Sequence, residues 1–328
     1  MTAPERHTTP HPGVLPAAAA ESWHHRRVTG AEPNTNERPP TAVILTTFDA
    51  ESIAVAAHFV EPPRERRTVD VRGTLYEVGT VSTASRPWSL ALAEMGPGNT
   101  TAGVELERAN AHWSPDVMLL VGVAGGLKDL RHGDVVAAEA VYDYESGKET
   151  GTGYLPRMKT HPSSHRLLQH ARLIARRDAW PDTLPVCDGD QRPVAVVKPI
   201  AAGGKLLASD RSTTVKLLQR NCSDAVAVEM EGHGFLRGAY LNSGLEALVI
   251  RGISDLLADK TGDNDLQWQP IAARNAAAFA VELLSALTVT GRADRSTGPT
   301  SQPGVTITDS QGVQVGDNNV QHNTWESS

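Results

Sequence analysis

Two cysteines in 328 residues, Cys187 and Cys222, with no Cys-x-x-Cys pair and no histidines at zinc spacing beside them, leave no material for a disulfide framework or a metal knuckle. No metal is expected, and a reducing cytoplasm is the expected compartment. Long hydrophobic runs are also missing. The longest is six residues, far short of the ~18 that a spanning helix requires, so no membrane is expected as a partner. Positive charge is not in excess either: 31 basic against 38 acidic side chains give a formal charge of −7, which collects no phosphates and argues against a nucleic acid polymer as ligand. Export is not expected, because the alanines from Ala17 to Ala20 belong to no apolar segment of roughly 7–15 residues behind a basic start. What is present is a 40% hydrophobic, 21% charged chain, long enough for about two domains or for one α/β unit of about 200–250 residues.

Residues 1–40 carry seven of the 21 prolines, balanced charges and no apolar periodicity, which predicts a disordered N-terminal arm. From Thr41 short β-rich runs alternate with longer helical patterns, the signature of βαβ units and of an α/β fold with a mostly parallel sheet covered on both faces. Strands are predicted at 42–46, over 69–78 and 81–83 with glycine turns joining them, and at 89–95, 117–121, 134–140, 194–199, 225–228 and 247–250. Helices are predicted at 50–59, 100–112, 164–177, 212–220, 232–242 and 271–287. One domain over 41–289 accounts for these, followed by a flexible linker at 290–303. Residues 304–328 form a β-prone tail with period-two alternation. A lone short strand pair does not hold together in water, so that tail needs a partner.

Four landmarks follow in order: Glu51 after the first strand, a glycine turn Gly122-Val123-Ala124-Gly125-Gly126, the run Val228-Glu229-Met230-Glu231-Gly232, and Ile253-Ser254-Asp255 directly after the strand at 247–250. Three of them put acids at or just beyond strand ends, where open α/β sheets gather ligands, so a shared cleft is expected. Each has an ordinary reading alone. Glu51 suits the positive end of a helix dipole, Met230 a core position, and Asp255 a cap or turn. The glycine turn is no dinucleotide fingerprint, since the order G-x-G-x-x-G is absent. Gly203-Gly204-Lys205 fails as a phosphate loop because Pro199 stands where the first glycine belongs. No cofactor is expected. The joint, ordered occurrence is what points to chemistry.

With Gly96-Pro97-Gly98-Asn99 and Gly133-Asp134-Val135-Val136 added, residues 41–287 resemble the nucleoside phosphorylase and nucleosidase superfamily, particularly the 5′-methylthioadenosine/S-adenosylhomocysteine nucleosidases. The resemblance implies a three-layer domain with a twisted central sheet flanked by helices, and a homodimer. It implies that Asp255, positioned by Ser254, protonates N7 of a purine. Glu231 would grip the ribose 2′ and 3′ hydroxyls with Met230 beside the sugar, and Glu51 would activate water. Glu229, Val123, Ala124 and Gly125 complete the substrate-binding set. The chemistry has its own logic: a purine anion leaves poorly unless protonated, while the sugar becomes oxocarbenium-like and favours negative charge nearby. Two carboxyl groups of opposite protonation are therefore needed. Asp255 is expected to have a raised pKa, and Glu51 to stay ionised.

Phosphorylases of this superfamily bring arginines into the early glycine loops to hold orthophosphate. Residues 96–99 and 122–126 contain none, so water is the expected nucleophile. The family's base-stacking phenylalanine has no counterpart near Ala201-Ala202-Gly203-Gly204, where Lys205 follows, and this leaves the substrate open. Lys205, Arg211 and Arg251 are candidates to meet a 5′-phosphate chain, against the ordinary reading of surface salt bridges. Trp268 either lines the 5′ side or anchors the last helix.

The tail segment 312–323 resembles the short amyloid signalling motifs of bacterial and fungal immune receptors, related to the RIP homotypic interaction motif of animal necroptosis. Val313, Gln314, Val315, Gly316, Asn319, Val320, Gln321 and Asn323 carry the match. They alternate at period two, hold few charges and follow the last proline, Pro303, and their amides suit side-chain ladders in stacked strands. Gly316-Asp317-Asn318 supplies a bend. The resemblance implies a receptor with a matching motif as partner. The expected function is thus a purine nucleoside or nucleotide N-ribosylhydrolase that releases adenine as an effector of bacterial immunity or cell death. A housekeeping nucleosidase or phosphorylase with an incidental tail is one alternative, and a non-catalytic nucleoside sensor another. The intact carboxylate set favours an enzyme.

Overall fold

The structure, a computed structural model, describes residues 39–151, 153–184, 192–207, 209, 211–257 and 262–288, with side chains from Gln267 onward in the last stretch. The expected disorder of the arm before Pro39, and everything expected of the linker and the tail, lie outside the described residues, as does Cys187.

Among the described residues, twelve strands and six α-helices are laid down in the order β1 (Thr41–Thr46), α1 (Asp49–Ala56), β2 (Arg67–Val71), β3 (Thr74–Val81), β4 (Trp88–Glu94), α2 (Asn99–Trp113), β5 (Val117–Gly126), β6 (Val135–Asp143), β7 (Gly147–Thr150), β8 (Gly153–Pro156), β9 (Lys159–Pro162), α3 (His165–Arg177), β10 (Ala195–Ala202), α4 (Thr213–Asn221), β11 (Ala227–Glu229), α5 (Gly232–Leu241), β12 (Ala247–Leu256) and α6 (Gly262–Ala286). Ten of the strands form one sheet in the order β11-β10-β6-β12-β5-β1-β4-β3-β2, with β9 on β6. Its centre is parallel: β1 runs with β4 and β5, β5 with β12, and β10 with β6 and β11. The β2-β3-β4 flank is antiparallel because short turns, not crossover helices, join those strands. β12 also meets β6 antiparallel, and β11 folds back antiparallel onto β5, so β5, β12, β6, β10 and β11 close into a ring.

The period of two in the central strands decides which layer each residue joins. Ala42 and Ile44 of β1, Leu119 and Val121 of β5, and Leu248 and Ile250 of β12 enter one core with α1, α3 and α6. Their neighbours Val43, Leu45, Met118, Leu120 and Val249 enter the other with α2 and α5. Near-continuous apolar runs of this kind belong to strands buried on both faces. Helix α3 joins its layer through Leu167, Leu168, Ala171 and Ile174, spaced for one helical face. The three-layer α/β architecture is therefore present.

Local differences from the sequence reading have physical causes. The stretch 69–78 folds at Arg72 and Gly73, with φ of 55° and 90°, into the β2-β3 hairpin, whereas Gly79 lies inside β3 and turns nothing. Gly122 to Gly126 is likewise no turn: β5 runs straight through it, paired with β12. β12 continues to Leu256, so Ser254 and Asp255 lie within the strand, where a register shift between Ile253 and Asp255 marks a bulge. The four-residue β7, β8 and β9 are too short to show a strand period in the sequence, and α6 begins at Gly262, ahead of Pro270, where the sequence reading starts the helix only at 271. Among the described residues no helix is long and apolar enough to cross a membrane.

Candidate active site

The ends of β1, β5, β11 and β12 converge on a cavity of about 250 Å³. Its wall holds Glu51, Val123, Ala124, Gly125, Glu229, Met230, Glu231, Ser254 and Asp255, so every catalytic and substrate-binding candidate borders one hollow, with Lys205 at the wall as well. Thr47, Phe48, Pro97, Leu206, Leu207, Val228 and Gln269 complete it. Pro97 and Val228 belong to motifs the sequence displays, whereas Thr47, Phe48, Leu206, Leu207 and Gln269 do not stand out in it. Phe48 directly precedes α1 and was discoverable only through its spacing from Glu51.

Glu51 is on the first turn of α1 and is 2% exposed. Its Oε2 accepts the Thr47 amide at 2.7 Å and its Oε1 the Val123 amide at 2.8 Å, which locks the carboxylate across the gap between β1 and β5. Burial pushes its pKa up to about 7, against the lowering influence of the Arg251 guanidinium and of those two amides. This corrects the expectation of a fully ionised Glu51: desolvation outweighs its favourable partners, and near neutral pH the group is divided between its two forms.

Arg251 also departs from expectation. It is wholly buried on β12, and its Nη2 bonds both Glu229 and, at 3.1 Å, Glu231. A side chain held behind two carboxylates in this way does not reach a 5′-phosphate. A Cβ on Gly122 would overlap both the Arg251 Nη1 and the Glu51 carboxylate, so glycine at that point of β5 is what lets this cation approach three acids. Burial nevertheless raises the pKa of Glu231, with Arg251 opposing.

Glu229 accepts the amides of Glu231 at 3.0 Å and Gly232 at 2.8 Å, bracing the turn from β11 into α5. Glu231, at the mouth of α5, accepts the Gly98 amide at 2.9 Å, and Asn99 Oδ1 accepts the Gly234 amide at 2.8 Å. These two bonds tie the 96–99 loop to α5 and set Glu231 beside Pro97. Asp255 is 6% exposed, and Ser254 Oγ donates to its Oδ2 at 3.2 Å. Past the bulge in β12, Asp255 pairs with Gly125 and its carboxylate lies against that glycine.

Three of the four 5′-side candidates lie elsewhere. Arg251 is spent on Glu229 and Glu231, and Arg211 is exposed and outside the wall. Trp268 stacks on His132, centroids 4.9 Å apart, and packs near Gly133, which is the helix-anchoring alternative. Lys205 does reach the wall, but its ammonium pairs with Glu145 at 2.9 Å in an exposed bridge of little energetic weight. Among the described residues no group of three or more His, Cys, Asp or Glu is arranged to hold a metal. The hollow thus gathers four carboxyl groups around a small, partly apolar space, an arrangement suited to donating one proton and accepting another.

A model of the phosphorylase superfamily matches residues 41–285, and a model of the RIP homotypic interaction motif matches residues 303–320. A 5′-methylthioadenosine/S-adenosylhomocysteine nucleosidase of Geobacillus kaustophilus is 27% identical over 202 residues, which is 60% of this chain and 79% of that protein. The Neisseria meningitidis nucleosidase of the same name, solved with methylthio-immucillin-A, aligns with a TM-score of 0.60 at 21% identity, covering 75% of this chain and 99% of the other. Futalosine hydrolase of Helicobacter pylori aligns with a TM-score of 0.60 at 18% identity over 76% of this chain and 98% of its own. The solved structures share the fold.

Proposed function

Because the chain belongs to the phosphorylase superfamily, we propose that it is a purine N-ribosylhydrolase, cleaving the N-glycosidic bond of a purine nucleoside or nucleotide with release of adenine. Asp255 gives a proton to N7 as the C1′–N9 bond breaks and its electron pair passes to the base. Glu231 holds the ribose 2′ and 3′ hydroxyls, and its negative charge favours the oxocarbenium-like sugar. Water adds to C1′ and surrenders a proton to Glu51, leaving free ribose or its 5′-substituted form. The observation that carries this reading is that Glu51 and Asp255, 204 positions apart in the sequence, border one cavity of about 250 Å³. A pKa of about 7 equips Glu51 as a general base at neutral pH. Hydrolysis is preferred over phosphorolysis because no arginine lines the described wall, and Arg251 behind it is buried and paired with Glu229 and Glu231.

The catalytic unit in this reading is 41–289, working in the cytoplasm as a homodimer. Val104 on α2 and Tyr240 and Leu241 on α5 are exposed apolar side chains that suit a subunit contact. The linker 290–303 joins it to the motif at 304–328. The match to a homotypic interaction motif supports recruitment of the enzyme to a receptor with a like motif, where stacked tails concentrate the catalytic units and purine depletion harms an infected cell. Incubating the full chain with adenosine, guanosine, methylthioadenosine and ATP, with and without phosphate, tests the activity. Free base without phosphate dependence is expected, and release that requires phosphate would make the protein a phosphorylase. A peptide of residues 303–328 should bind thioflavin and give cross-β diffraction; a soluble monomer at high concentration would remove the assembly step.

A further inference from the structure

We propose that the open edge of the central sheet at β2 is a dock for this chain's own tail, with residues 305–308 pairing there as an added strand until a like motif draws them away. The docking stands apart from the hydrolase reading, and only its consequence for assembly rests on the tail stacking proposed above. β2 ends the strand order and pairs only with β3. Arg72 and Gly73, both at positive φ, form the two-residue turn between them, so the flanking Val71 and Thr74 are a hydrogen-bonded pair. Alternation along an antiparallel ladder then points the N–H and C=O of Thr68 and Asp70 away from β3, where they meet no backbone partner among the described residues. Such a row is a template for one more strand.

The tail suits this edge in pattern, charge and reach. Val69 and Val71 turn toward the core while Thr68 and Asp70 are exposed, and Val305-Thr306-Ile307-Thr308, inside the matched motif at 303–320, repeats that alternation. Arg64, Arg67 and Arg72 are exposed on and beside β2, against Glu65 and Asp70, whereas residues 304–328 hold Asp309, Asp317 and Glu326 and no lysine or arginine. The end of α6 lies beside the start of β4, where Trp88 Nε1 donates to the Leu284 carbonyl at 3.1 Å. From Trp88 the place beyond Arg67 is three strand spacings across and three residues along, about 18 Å. A Gly-, Ser- and Thr-rich segment the length of 289–303 has a root-mean-square span of about 20–23 Å, which matches that distance. A linker of matched span presents its end at roughly millimolar effective concentration, so in a micromolar solution the tail meets this edge far more often than it meets another tail. β2 is three strands from β1, so a strand added there leaves the cavity untouched.

Amide hydrogen exchange on the full chain at micromolar concentration tests the docking. Thr68 and Asp70 should exchange about tenfold or more slowly in wild type than in Ile307→Pro, whose tail cannot complete the added ladder. Thr68→Pro, which an outward-facing edge position tolerates, should speed exchange within 305–308 by a similar factor. Arg67→Glu should act in the same direction through charge, with the strand unbroken, so that a folding defect in the proline variant does not decide the matter. Seeded with fibrils of a peptide of residues 303–328, both β2 variants should enter thioflavin-positive assemblies faster than wild type. Protection of Thr68 and Asp70 that persists in Ile307→Pro, or that grows with protein concentration, would put a different occupant on the edge and overturn the proposal. Exchange of these amides at the unprotected rate in wild type would overturn it too. Protection lost in Ile307→Pro, with no seeded assembly by any of the proteins, would uphold the docking and overturn the tail stacking instead.

Discussion

Titrating Glu51 perturbs the proposed chemistry without changing the sequence. With a pKa of about 7, roughly one carboxyl in eleven is ionised at pH 6 and roughly ten in eleven at pH 8, so a rate that depends on the carboxylate rises about tenfold across that interval. Stability moves the opposite way. Burial raises this group from 4.5 to about 7, so the folded state holds the proton more tightly than the unfolded state. Its contribution is undiminished below about pH 4.5, falls as the pH rises through 7, and levels off above, a change of about 3 kcal/mol. Glu51→Gln removes both dependences. It also sets an amide NH2 against the Thr47 or Val123 N–H that the carboxylate accepts, which costs about 1–3 kcal/mol at every pH and leaves the slope unaffected. Urea unfolding at pH 5 and pH 8 should therefore show wild type losing about 2–3 kcal/mol more than Glu51→Gln over the interval. Turnover by the variant at pH 7.5 should fall by about 100-fold or more. A wild-type rate that is flat from pH 6 to 8, together with parallel stability changes in the two proteins, would refute the assignment of Glu51 as a buried base.

Other perturbations have equally definite outcomes. Asp255→Asn should lower kcat by about 100-fold with little change in KM, measured by adenine release, since the amide keeps the shape and loses the transferable proton. Arg251→Met strands Glu229 and Glu231 without their common cation and should cost about 3–5 kcal/mol in chemical denaturation, whereas a surface change such as Arg211→Met should cost less than about 0.5 kcal/mol. Gly122→Ala drives a methyl between the Arg251 guanidinium and the Glu51 carboxylate, and should abolish turnover while lowering Tm, read by calorimetry. Removing residues 291–328 should leave adenine release by the purified enzyme unchanged and abolish any toxicity in cells that express a receptor carrying the matching motif.

The central sheet was legible because β1, β5 and β12 are buried on both faces and so appear as uninterrupted apolar runs. β7, β8 and β9 were not, since four-residue strands take their order from pairing partners more than from their own side chains. The acids of the site were legible as ordered landmarks at strand ends. Their protonation was not: whether Glu51 is charged depends on how deeply α1 and β5 bury it, and no local pattern records that depth. Arg251 misled for a related reason. Its sequence position beside the site suggests a ligand contact, while the contacts that consume it come from Glu229 and Glu231, 22 and 20 residues away. Gln269 carries no signal at all, being a lone amide in a helix that the cavity meets only after folding.

Adenine release from adenosine by the full chain in phosphate-free buffer, followed beside Glu51→Gln and Asp255→Asn, tests the chemistry most directly. The account predicts free adenine and free ribose in equal amounts from wild type and a loss of about 100-fold or more in each variant. Sustained release by either variant, or none by wild type from any purine nucleoside or nucleotide, would contradict it.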